Sequence, residues 1–398
     1  IISDKLYIYK VDTRHAKFLK DFTKFKIPPK KKINQNFLDQ IKLKLFNKDQ
    51  NLRKKIYQGI DSKNKLDKFI VQMCIKYLPS LYLESVAINL SLISKKFQTV
   101  PKFIMSNAHG WWTDDRFKFY TSFCMLNKTK YIDIQHNGTY FIIKRNPHFE
   151  ISKHFRDYFI GWGNSCLQEK MNLKLPVLYS IKKSNKQSLS SKNSKKKIIF
   201  MGASIKRFFG GYFHSYLNGG NSFLYYSIQY EFLKNLSKKT IKDIILRLRH
   251  NSRDPRGYIE FLKKNFSDIK FEDIKIPASE RLAKKNVGIV VVDHCSTPWL
   301  EVLFSNKPLI IFWNNKENII SSEYKNLINS LKKCQIYFDC PIAAAKRLEE
   351  VSDMSNYNWW YKDKNIQKLR NKLLDTFFFH QKHPVKIWND KINEIFYG

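Results

Sequence analysis

The sequence is short of acid. Across 398 residues, 34 Asp and Glu face 72 Lys and Arg, a formal net charge of +38 at pH 7. Arginine is scarce as well, supplying 13 of those cations against 59 lysines. Arginine usually leads phosphate and base recognition. A lysine-dominated surplus with no helix-turn-helix, zinc-finger, RNP or KH pattern argues against a dedicated nucleic-acid binder. Cysteine is limited to Cys74, Cys124, Cys166, Cys295, Cys334 and Cys340, with irregular spacings and no CxxC pair. That excludes a zinc ribbon or a disulfide scaffold and fits reduced thiols in a cytosolic protein. The 13 Gly and 12 Pro follow no period, and no sustained heptad or long repeat occurs, so collagen, coiled-coil and solenoid architectures are excluded. No run of about 18 uncharged apolar residues could span a bilayer. The chain starts at Ile1 with no charged-then-apolar leader, and so reads as a fragment or a processed piece, cut before the start of its first domain.

What is present is apolar enough to fold. The chain is 43% hydrophobic and 15% aromatic, too rich for a disordered polycation. Two globular domains are expected at ~100–200 residues each. The lysine excess has two readings. One is a base-composition bias in the gene; the other is a basic face drawn to an anionic membrane surface or ligand.

Patterning divides the chain. Residues 1–180 form the first domain: a lysine-rich start with a break at KIPPKKKINQ and a short helix at LDQIKLKLF. Two helices follow at FIVQMCIKYLP and LYLESVAINLSLISKKF. KFIMSN, KYIDIQHNG and DYFIGWG read as buried strands, with a helix at DDRFKFYTSFCMLNKT. Residues 181–197, IKKSNKQSLSSKNSKKK, read as a flexible linker. Residues 198–360 alternate again: strands at KIIFMGAS, DIILRLRH, DIKFED, VGIVVVD and KPLIIFWN, separated by helices. Residues 361–398 read as helices. The fold class is therefore α/β, with parallel sheets of Rossmann type.

In such sheets ligands bind beyond the carboxyl ends of the strands. Four strand exits carry candidate chemistry. VGIVVVDHCSTPWLEVL ends its strand at Asp293, and Ser296 and Thr297 precede Pro298, so Thr297 reads as the N-cap of a helix whose free N–H groups suit a diphosphate. Glu301 lies outside capping-box register and could accept ribose hydroxyls; both residues could equally serve only the helix start. MGASIKRFF places Gly202, Ser204, Lys206 and Arg207 after a strand, without a Walker or GxGxxG pattern. LRLRHNSRDPRGY places Arg247 and Arg249 on one strand face, as a phosphate clamp or as partners of Asp254. KYIDIQHNGTYF brings Gln135, His136, Asn137 and Gly138 out of a strand, and a histidine there could act as general base. Asp114 and Asp115 are not a DxD triplet and read as helix-dipole partners, so no metal is expected.

The order LPSLYLES, PKFIMSN, RFKFY, QHNGTYF, DYFIGWGN and STPWLEVLFSNKPLIIF, from Leu78 to Trp313, resembles a family of bacterial surface-polysaccharide transferases. More broadly it is similar to the two-Rossmann-domain (GT-B) glycosyltransferases, which include the CDP-glycerol glycerophosphotransferases. The resemblance implies an acceptor-side domain (1–180) and a donor-side domain (198–360) facing a central cleft, without a catalytic metal or other cofactor, and C-terminal helices packing across. It implies that Ser296, Thr297 and Glu301 form the donor-nucleotide block, that Gly202 and Arg207 face the donor phosphate, and that His136 and Gly138 lie at the cleft. The family motif reads His-Gly-Gly; here Asn137 separates His136 from Gly138. The expected activity is transfer of a sugar, or a polyol-phosphate, from a nucleotide-sugar or CDP-polyol donor to a surface glycan or lipid-linked glycan acceptor. It would take place in the cytoplasm, peripheral to the inner face of the membrane. His136 would be the base, and Arg207, Arg249 and the helix at Pro298 would stabilise the leaving phosphate. A nucleotide-sugar epimerase of the same fold and a non-catalytic glycan- or membrane-binding scaffold are the rivals.

Overall fold

The structure, a computed structural model, describes residues 6–9, 38–61, 63–107, 110–111, 114–138, 140–144, 146–168, 172–177, 196–203, 222–248, 257–272, 276–313, 319–352, 357–379, 381 and 383–397. Residues 181–195 of the expected linker lie outside them, as do Ser204, Lys206, Arg207, Arg249 and Asp254.

The described residues form two sheets, and each strand pairing described within them is parallel. The first holds β1 (Leu6–Tyr9), β2 (Phe103–Asn107), β3 (Lys130–Ile134), β4 (Tyr158–Gly161) and β5 (Asn172–Lys174), in that order. The second holds β6 (Lys197–Gly202), β7 (Ile244–Leu248), β8 (Lys270–Phe271), β9 (Val287–Val292), β10 (Leu309–Phe312) and β11 (Tyr337–Phe338). Its order is β11-β10-β9-β6-β7-β8. Counted from β6, that is the 3-2-1-4-5-6 order of a doubly wound sheet, and the order reverses between β6 and β9. The expected α/β class with two parallel Rossmann-type sheets is what the chain folds into.

The strands found by their apolar runs are buried as such runs require: β9 is buried at all six positions and β10 at all four. One expectation fails. LDQIKLKLF is a helix only at Leu38–Gln40, a single 3₁₀ turn. Beyond it the segment to Asp49 has no regular structure, and side chains of the Val86–Lys96 helix and its N-cap Ser85 take its polar groups. Lys44 N donates to Asn89 Oδ1 at 2.7 Å, and Phe46 N to Ser85 Oγ at 2.9 Å. The helix expected across LYLESVAINLSLISKKF is also broken, into a 3₁₀ turn at Ser80–Tyr82 and the Val86–Lys96 helix.

Packing groups the described residues into two compact units. One runs to Ile134 and includes Arg156–Tyr158; the other takes Gln135–Phe155 and everything from Phe159 on. In the second unit the C-terminal helix Lys364–Phe377 lies on the Thr297–Phe304 helix. Arg370 caps that helix from outside, donating through Nε to Leu303 O and through Nη2 to Phe304 O at 3.1 Å. Burial lowers its guanidinium to about 10. Trp162 packs edge-on against Phe378, and Trp388 Nε1 donates to Pro176 O at 2.7 Å.

Candidate functional site

The switch point of the second sheet carries a buried polar network. β6 and β9 run side by side, with Met201 opposite Val292, so Gly202 and Asp293 leave the sheet together. The Asp293 side chain is fully buried. Its Oδ2 accepts from Tyr225 OH at 2.8 Å and from the Gln229 amide, and its Oδ1 sits 2.8 Å from Nδ1 of His294. Gln229 also donates to Tyr225 OH at 2.7 Å, and Tyr225 OH accepts from Ala203 N at 2.7 Å. Burial, then the nearby Asp293 charge, raises the Tyr225 phenol well above its ordinary range, so it stays a donor. Gly202 has no room for a side chain: a Cβ would come within 2.7 Å of both Gln229 Nε2 and Leu248 Cδ2. Glycine at this strand exit thus lets Gln229 reach Asp293.

His294 is only 7% exposed, and among the described residues Nδ1 to Asp293 is its sole hydrogen bond. A carboxylate on Nδ1 fixes the ring and favours the tautomer that leaves Nε2 as an acceptor. Neither His294 nor the Tyr225–Gln229 pair was singled out from the sequence. The i, i+4 spacing of two hydrogen-bonding residues on one helix was the available signal for the pair. For His294 the adjacent Asp293 was the only one.

The helix after β9 begins one residue earlier than the sequence suggested. Ser296 is the N-cap, without a side-chain cap bond, and the helix runs Thr297–Phe304 with Pro298 in its first turn. Thr297 is therefore not the cap. Its Oγ1 accepts instead from Gly138 N at 3.0 Å. This bond ties the loop after β3 to the helix start, and all these residues belong to the second unit. The approach is close: a Cβ on Gly138 would lie 2.6 Å from Leu300 Cδ1 and 3.2 Å from Thr297 Cα. Glu301, one turn into the helix, is buried at 3% exposure.

The loop itself is held on both sides. Gln135 is buried; its Oε1 accepts from Trp162 N at 2.9 Å and its Nε2 donates to Asn137 O at 2.8 Å. His136 is half-buried, with Nδ1 2.7 Å from Tyr140 OH and Nε2 3.1 Å from the Asn137 amide nitrogen. Tyr140 is fixed among Phe149, Phe159 and Cys166. The structure thus brings His136, Gly138 and Thr297 together, and separately Gly202 and Asp293.

Other candidates are occupied. Arg247 pairs with Glu272 Oε2 at 2.9 Å and donates to Ile276 O, while Arg281 Nε lies 2.9 Å from the other Glu272 oxygen. The partner of Arg247 is thus Glu272. Asp114 caps the Asp115–Leu126 helix, and Asp115 binds Lys118 at 2.8 Å and Tyr82.

Against known proteins, the model of a family described as LIC12162 family transferase matches residues 4–392. No curated protein matches. Among solved structures, the wall teichoic acid polymerase TagF is 15% identical over 74% of this chain and 73% of its own, with a TM-score of 0.42. A UDP-glucosyltransferase from Polygonum tinctorium is 9% identical over 99% and 98%, with a TM-score of 0.48. The UDP-GlcNAc 2-epimerase from Neisseria meningitidis, bound to UDP-GlcNAc, is 11% identical over 85% and 84%, with a TM-score of 0.45.

Proposed function

Since the chain belongs to the LIC12162 family of transferases, we propose that it moves a sugar, or a related polyol-phosphate group, from a nucleotide-activated donor to a surface-glycan acceptor, working at the cytoplasmic membrane surface. The observation that carries this reading is the Gly138–Thr297 hydrogen bond. It sets the loop bearing His136 against the start of the Thr297–Phe304 helix, so a base and an anion-binding helix end serve one place.

The chemistry then assigns roles. The acceptor oxygen attacks the donor's reacting centre, a new bond to that oxygen forms, and the bond to the nucleotide phosphate breaks. His136 takes the hydroxyl proton on Nε2, the acceptor hydroxyl replacing the Asn137 amide there, while Nδ1–H is held by Tyr140. The leaving phosphate meets the first-turn N–H groups and positive dipole end of the helix that starts at Thr297, with Ser204, Arg207 and Arg249 as further ligands. His294, oriented by Asp293, offers Nε2 to the same phosphate when protonated. Glu301 takes the ribose hydroxyls. No metal is assigned to this reaction.

Donor turnover with and without acceptor tests the reading. Release of nucleotide only when glycan or membrane acceptor is added supports transfer, whereas interconversion of donor alone would make the protein an epimerase. Turnover should survive EDTA; loss with rescue by Mg²⁺ would contradict the metal-free assignment.

A further inference from the structure

We propose that the Lys65–Tyr77 helix is a docking face for an anionic lipid surface, lying in the plane of the headgroups. The inference names the surface for the membrane part of the reading above and does not depend on the transfer chemistry.

The helix presents two faces, and the apolar one points the wrong way for a core. Leu66, Phe69, Ile70 and Tyr77 are 48% to 65% exposed. At 100° per residue they fall within one stripe, with half-buried Met73 at its centre. Val71 and Ile75, on the opposite side, are the half-buried residues turned toward the protein. None of its residues is fully buried. Leu45 and Phe46, on the segment pinned to Asn89 and Ser85, are also exposed.

The helix is nonetheless firmly held. Asn64 caps its start by accepting from Leu66 N at 2.9 Å. At its end Arg53, buried and paired with Glu84 at 2.7 Å, donates to Ile75 O, Lys76 O and Leu78 O. A buried arginine thus clamps an exposed apolar helix in place.

Charge selects the occupant. Residues 41–77 carry ten Lys and Arg against three Asp. Among the described residues Lys54, Lys55, Lys63, Lys65 and Lys68 form no ion pair, and all five are exposed. Lys65 and Lys76 flank the stripe beside Phe69. Apolar side chains bordered by unpaired lysines match acyl chains beneath phosphate headgroups. At 13 residues the helix is about 20 Å long, shorter than the ~30 Å hydrocarbon core, so it lies on the bilayer instead of crossing it.

The test is flotation of the whole chain with vesicles of phosphatidylcholine alone or mixed with phosphatidylglycerol, without any donor present. Binding to the mixed vesicles only, weakened by salt, is expected. The triple change Leu66→Gln, Phe69→Gln, Tyr77→Gln should lower partitioning at least ~tenfold, and Lys65→Glu with Lys76→Glu should do likewise. Both sets alter exposed residues, so the circular-dichroism melt should be unchanged. No binding by the wild-type chain, or equal binding by the variants, would overturn the proposal. So would variants that only convert a dimer to a monomer, because the face would then cover a second copy. Nucleotide binding, measured without vesicles, fails or succeeds separately.

Discussion

His136 has a partner on each ring nitrogen, Tyr140 on one and Asn137 on the other. As the proposed base it is pre-oriented, and only the Asn137 side must yield to substrate. His136→Ala should therefore cut turnover by ~10²–10⁴ while donor affinity, measured by calorimetry, stays within about twofold. A normal rate would remove the histidine from the chemistry. Lys307 shows a different single-residue effect. It is fully buried, its Nζ has Val287 O at 3.5 Å as its hydrogen-bond partner, and burial, with Lys196 nearby, lowers it to about 8. The charged form is penalised only in the folded state, so between pH ~8 and ~10.4 the unfolded chain holds more protons. Stability should rise through that window, by roughly 2–3 kcal/mol if Lys307 dominates. Lys307→Met should flatten the rise and stabilise the protein at pH 7 by ~1–3 kcal/mol. Denaturant melts across pH 7–10 would show it; a wild-type curve without the rise would refute the assignment.

At the scale of elements, the Thr297–Phe304 helix is fastened at both ends by residues distant in sequence. Arg370 satisfies two carbonyls at its last turn, and Thr297 accepts the buried Gly138 N–H at its first. Because Ser296 is the cap, Thr297→Val removes no cap bond. It instead orphans the Gly138 N–H, which should cost ~1–3 kcal/mol of stability. The same change frees the His136 loop, so turnover should fall along with the melting midpoint; an unchanged midpoint would mean the bond contributes nothing. Helix starts of this kind are read from the residue before proline, and Pro298 did point to the right turn. The sequence could not show that the threonine hydroxyl was claimed by a glycine 159 positions away. Local rules likewise missed the segment after Gln40, where the alternation of Ile41, Leu43 and Leu45 has period two. Asn89 and Ser85 take its backbone N–H groups in place of helical partners, against its lysine- and leucine-rich helix propensity.

Across the whole molecule, legibility followed length and burial. The long apolar strands β6, β9 and β10 and the alternation around them were plain, and with them the carboxyl-end loops where the candidate residues cluster. β5 and β11, of three and two residues, were too short to carry a pattern. The Asp293–His294–Tyr225–Gln229 network was only partly visible, because it joins a strand end to a helix 64 and 68 positions earlier. In the proposed function a nucleotide-activated donor seats at this switch point. Thermal-shift melting of the wild-type and Glu301→Gln chains against UDP-, CMP-, CDP- and GDP-activated donors is the decisive experiment. A donor at 100 times its Kd adds ~2.7 kcal/mol to the folded state. One nucleotide class should raise the melting midpoint by a few degrees in the wild type. With Glu301→Gln, ten- to a hundredfold more of that donor should be needed for the same rise. No shift with any donor, or equal shifts with every donor and with inorganic diphosphate, would contradict donor binding at this site.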